Sequence, residues 1–121
     1  MVTPMPNPEF IYKIASRPVF EASAATGRFA GMPIDLKDGY VHFSTAAQLA
    51  ETLRLHFAGQ SDLIVFSVSC FDLGAGLRWE PSRGGQLFPH LYGELPMSAV
   101  VDQAVVAVAA DGRVQLPEFV Q

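Results

Sequence analysis

Residues 62–70, DLIVFSVSC, are apolar at consecutive positions, so a strand built from them has no face suited to water. The segment therefore predicts a central strand with packed layers on both sides. Everything else in the chain has to supply those layers. Upstream, FIYKI at 10–14 reads as a strand that ends at Ser16, an N-cap, with Pro18 in the first turn of a helix over 17–26 and Gly27 closing it. GMPIDLKDG at 31–39 reads as a loop, and YVHFS at 40–44 as a strand. Thr45 and Gln48 then form a capping-box pattern that opens a helix over 45–57. On that helix Ala46, Leu49, Ala50, Leu53 and Phe57 fall on one stripe, with Gln48, Glu51 and Thr52 opposite and Leu55 among the polar positions.

Strand signals dominate after residue 60. GLRWEP and LFPHLYG are two extended pieces separated by SRGGQ, and DQAVVAVAA is a last strand before a turn at Asp111-Gly112. Early helices separated by single strands, followed by a strand-rich half, predict an α+β domain rather than a doubly wound parallel sheet. GAG at 74–76 lacks the remainder of a dinucleotide or phosphate-loop motif, which argues against a Rossmann reading. At 121 residues, half of them hydrophobic and 17% charged, the chain is expected to be a single domain over 1–121, with its core within about 10–108 and an extended segment at 1–9.

Eight basic against twelve acidic residues give a formal charge of -4, which leaves no electrostatic surplus for extended nucleic acid. A small nucleotide stays open, because one or two placed cations can hold it. The lone Cys70 excludes an internal disulfide and a Cys-rich zinc site, and its place in an apolar run points to a structural thiol. MVTPMPNPEF has no basic region followed by an apolar stretch, and AVVDQAVVAVAA is too short for a bilayer and is broken by Asp102. A cytoplasmic protein with no membrane partner is expected, as a monomer or weak homodimer.

Alternation along YVHFS puts Val41 and Phe43 on a core face and Tyr40, His42 and Ser44 on the other. That second face leads into the capped N-terminus of the next helix. In FPHLYGELP, continued extension would align His90, Tyr92 and Glu94, and Pro89 and Pro96 stiffen the ends. One strand histidine is more often structural than functional; two clusters of His, Tyr and Glu shift the balance toward proton transfer and hydroxyl binding. The candidate catalytic residues are His42, His90 and Glu94, and the candidate ligand-binding residues are Lys13, Ser44, Arg78 and Tyr92. His56 reads as a helix C-terminal dipole partner. No metal is expected, since His42, His56 and His90 include no short ligand pair, and Ser67 and Ser69 lack a nucleophile elbow. If His42 serves a ligand, His42→Ala should leave stability nearly unchanged, whereas Val41→Ala should destabilise the fold.

IYKIASRPVFEASAATGRF, DGYVHFSTAAQLAETL, LRWEP and FPHLYGELPMSAVV together resemble the bacterial family known as domain of unknown function 952, over roughly residues 10–108. More distantly, the order of parts resembles the ADP-ribosyltransferase fold, especially its RNA 2′-phosphotransferase branch. That resemblance implies a bent, split, mostly antiparallel sheet with two main helices and a cleft that grips NAD. It puts IYKIAS, YVHFST and HLYGEL in the three site-bearing slots, with His42 at a polar second-strand position and the third position open among His90, Tyr92 and Glu94, of which Glu94 could stand for the late acid. Lys13-Ile14 stands where that fold carries His-Gly. Two function classes follow: a transferase or hydrolase acting on an NAD-like or phosphorylated nucleotide, with NAD one candidate substrate and the cofactor left open, or a noncatalytic binding module for a small nucleotide or a protein.

Overall fold

The computed structural model describes residues 8–121; the extended segment expected at 1–9 falls almost wholly outside them. Strand β1, Phe10–Ser16, runs into helix α1, Arg17–Thr26. The Ser16 Oγ accepts from the Val19 N–H at 3.4 Å, and Gly27 takes the left-handed conformation that ends the helix. Strand β2 is Arg28–Phe29, helix α2 is Pro33–Asp38, and strand β3 is Val41–His42. Helix α3, Ala46–Phe57, starts with the reciprocal cap between Thr45 and Gln48, its two bonds measuring 3.2 and 3.0 Å. Then come β4, Leu63–Ser69; a 3-10 segment, Cys70–Gly76; β5, Leu77–Pro81; β6, Leu87–Leu91; β7, Leu95–Pro96; and β8, Val100–Val106.

Two departures from the sequence reading concern the site. The segment 31–39 is not a loop, because Pro33 occupies the first turn of α2, the Asp35 carboxylate accepts from the Met32 N–H at 2.7 Å, and Gly39 closes the helix at φ 85°. The chain thus has a third, short helix beside the two longer ones. The extension expected through FPHLYGELP is also broken, at Gly93, whose φ of 135° turns the chain away from β6 and toward β2.

The sheet is split into three antiparallel groups. β4 lies between β1 and β8, β6 lies between β3 and β5, and β2 pairs with β7. One bridge joins the first two groups: Tyr12 and Ser44 exchange backbone hydrogen bonds of 2.8 and 2.9 Å. β1 and β4 serve two cores on opposite faces. Ile11, Ala15, Ile64, Phe66 and Val68 pack with Phe20, Phe29, Val41, Phe43 and Leu91, while Tyr12, Ile14, Leu63 and Val65 pack with Leu49 and Leu53 of α3. Continuous apolarity in β4 therefore has a direct cause. Burial of each such side chain contributes roughly 1.5–3 kcal/mol. Among the described residues, no helix is long and apolar enough to cross a membrane.

Candidate functional site

His42 on β3 and His90 on β6 are opposite partners in the sheet register, and Arg78 on β5 is opposite His90. Directly opposite residues share a face, so this row carries two imidazoles and a guanidinium. Tyr40 packs over it, its ring centroid 4.6 Å from His42, 4.2 Å from His90 and 5.1 Å from Tyr92.

Each histidine is oriented by an acid. The His42 Nδ1 lies 2.7 Å from Asp35 Oδ1 and its Nε2 3.0 Å from Asp38 Oδ2, and both are hydrogen bonds when each nitrogen carries a proton. The His90 Nδ1 lies 2.8 Å from Glu80 Oε1, an oxygen that also accepts from the Tyr92 hydroxyl at 2.7 Å. His90 is 3% exposed, and no protein group pairs with its Nε2 among the described residues.

Asp35 is the hub. Its buried carboxylate accepts from Lys13 Nζ at 2.9 Å, from the His42 ring and backbone N–H, and from the Met32 N–H. Burial by itself would raise its pKa; the His42 ring hydrogen bond, the Lys13 charge and the backbone donor outweigh that and hold it at about 2, below the ordinary 3.8. Burial pulls Lys13 downward from 10.5, and the Asp35 charge opposes the pull. Hydrogen bonds from His90 and then Tyr92 lower Glu80 in the same way.

The sign for stability follows from Asp35. Its folded-state pKa is depressed, so the unfolded chain takes up a proton first, and the stabilisation is fully present above about pH 4 and lost as pH falls toward 2. The loss should amount to about 2 kcal/mol. Urea midpoints of the wild type and Asp35→Asn between pH 5 and 2 check this, since the variant should have a flatter slope in that window; equal slopes would contradict it.

A pocket of about 350 Å³ opens beside this row, between β1, β3, β6 and α3. Lys13, His42, Ser44 and His90 line it. Arg78 and Tyr92 are in neither its wall nor its floor: Arg78 is exposed and stacks 5.0 Å over the Tyr92 ring, beside the Glu80 contact. Glu94 is not brought to the pocket. The turn at Gly93 carries it to a separate hollow, where it pairs with Arg28 at 2.9 Å.

The structure adds residues that sequence reasoning missed. Asp35 and Asp38 sit on α2, whose signals were present as Pro33, Asp35 and Gly39, although compressed into six residues. Glu80 had no local signal. His56, in the last turn of α3, also lines the pocket, so all three histidines of the chain border one cavity. Arg83 enters from the β5–β6 turn, where Gly84 and Gly85 at φ 67° and 78° let the chain reverse tightly. Its Nη1 donates to Thr52 Oγ1 at 3.2 Å, and its guanidinium lies 5.0 Å over the Phe88 ring. No group of three or more His, Cys, Asp or Glu among the described residues is placed to hold a metal ion. Cys70 is partly buried, and burial pushes its thiol pKa up.

Residues 14–103 match the family described as Protein of unknown function (DUF952). The chain belongs to that family. The crystal structure of protein CC0527 from Caulobacter crescentus is similar at 45% identity and TM-score 0.83, over 88% of this chain and 93% of that one. Its solution NMR structure is similar at 45% identity and TM-score 0.76, over 88% and 90%. No curated protein matches the chain. The pocket of this DUF952 chain draws on β3, α3 and β6, all within the matched span, and on β1, of which Ile14 lies within that span and Tyr12 and Lys13 lie just before it.

Proposed function

We propose that the chain binds a phosphorylated or NAD-like nucleotide in the pocket and, as a transferase or hydrolase, uses His42 to move a proton. The carrying observation is the charge of the wall: Lys13, His42, His56, Arg83 and His90 line it with no carboxylate among the lining residues, in a chain whose formal charge is -4. A net-acidic protein that gathers its histidines and two cations around one cavity favours an anionic guest. The partly exposed ring of Phe57 in the same wall offers stacking surface for a base.

Asp35 holds the His42 Nδ1, leaving Nε2 for exchange with a ligand hydroxyl once Asp38, about one-third exposed, gives way. The unpaired His90 Nε2 supplies a second contact. Split antiparallel sheets joined through one bridge beside the pocket support the ADP-ribosyltransferase-like reading of the fold. A second reading, binding without catalysis, is favoured by β1: Lys13 is tied to Asp35 rather than free for a ribose, and bulky Ile14 occupies the position of a small residue.

Thermal shift with nucleoside phosphates and NAD, on the wild type, His42→Ala and Val41→Ala, tests the proposal. A ligand at a hundred times its Kd stabilises by about 2.7 kcal/mol. His42→Ala should abolish that shift. It should also cost about 1–2 kcal/mol, because it removes a partner from the buried Asp35, a correction to the near-zero cost expected from the strand alone. Val41→Ala, on the core face, should cost about 2 kcal/mol and keep the ligand shift. A ligand shift that survives in His42→Ala would sink the proposal. Mass spectrometry of the bound compound separates the two readings, since catalysis converts it and binding alone does not.

A further inference from the structure

The geometry points to a terminal phosphomonoester as the feature this pocket selects, anchored by Arg83, and hence to a mononucleotide rather than a dinucleotide. The inference rests on the nucleotide-binding reading above and narrows its ligand. The wall's basic groups are not equivalent. Lys13 is neutralised by Asp35, His42 lies between Asp35 and Asp38, and His90 is held by Glu80. Arg83 has no carboxylate within ion-pair distance among the described residues.

Arg83 is nevertheless fixed in place. The single hydroxyl hydrogen of Thr52 goes to the Gln48 carbonyl at 3.1 Å, so Thr52 Oγ1 can only accept from Arg83, and Ser44 in turn must donate to Thr52. Phe88 supports the guanidinium face. One N–H is thereby used and the others remain, in the planar fork that matches two oxygens of a phosphate. Ser82 and His56 lie in the same wall with further polar atoms.

Size decides between one nucleotide and two. About 350 Å³ is near the lower end of the roughly 300–1,000 Å³ range of ligand pockets. A dinucleotide has about twice the bulk of a mononucleotide and would leave one half in solvent, and its bridging pyrophosphate carries no terminal dianion for a single fork. A mononucleotide can set its base against Phe57 and its phosphate on Arg83.

Isothermal titration calorimetry with the common ribonucleosides, their 5′-monophosphates and NAD tests this on the full chain. At least one monophosphate should bind tenfold or more tighter than its nucleoside. Arg83→Met should erase that preference, and Arg113→Met, a surface arginine paired with Asp111, should not. Inorganic phosphate should compete with the monophosphate on the wild type, a readout independent of whether Arg83→Met folds. Equal affinity for nucleoside and monophosphate, NAD binding tighter than every monophosphate, absence of phosphate competition, or a preference that survives in folded Arg83→Met would overturn the inference while leaving a nucleotide pocket standing. Failure of every compound to bind would overturn both.

Discussion

Replacing Asp35 with alanine is expected to cost the fold about 3–5 kcal/mol, the loss typical of removing one partner from a buried ion pair. Lys13 is 4% exposed on β1, next to the aromatic core, with its ammonium 5.9 Å from the Phe29 ring centroid. Without Asp35 that charge has no counter-ion, and the N–H groups of Met32 and His42 lose their acceptor as well. A domain of this size holds only about 5–15 kcal/mol in total, so the variant should unfold at a much lower urea concentration. The double variant Lys13→Met/Asp35→Leu should recover much of the loss, because it removes both charges rather than one. If Asp35→Ala stays within about 1 kcal/mol of wild type, Lys13 is being solvated and the buried-pair account fails.

Phe66→Ala should be comparably damaging, at about 3–5 kcal/mol, for an apolar reason. Phe66 is fully buried in the central strand β4, with ring centroids 5.2 Å from Phe20 of α1 and 5.5 Å from Phe29 of β2. Truncation leaves a cavity where three elements meet, and the flanking rings lose their edge contacts as well as buried area. Phe71→Ala is the control: that ring is 93% exposed, and its loss should stay within about 0.5 kcal/mol. Similar urea midpoints for the two variants would mean that Phe20 and Phe29 collapse into the space.

The two effects divide the molecule. Phe66 belongs to the packing that makes the domain, whereas Asp35 joins the fold to the site, since the carboxylate that neutralises Lys13 also orients His42. A change at Asp35 should therefore lower stability and ligand affinity together, and a change at Phe66 should act on ligand binding only through the folded fraction.

What the sequence determined by itself was whatever has a local cause. Ser16, Thr45 with Gln48, and Gly27 sit within a few residues of the backbone groups they satisfy, so both longer helices and their ends were legible. Strand alternation separated Val41 and Phe43 from His42, and continuous apolarity identified β4 as the covered strand. The tertiary structure decided what depends on pairing across the chain. Register set His42 opposite His90; the β5–β6 turn delivered Arg83 to Thr52; and the short helix α2 delivered Asp35 to a lysine 22 residues away in sequence. Glu94 moved the other way, because one glycine at φ 135° ended the extension that sequence periodicity assumed. Periodicity encodes which face a side chain takes; which other segment that face meets depends on sheet register and turns, whose energies are shared among distant residues.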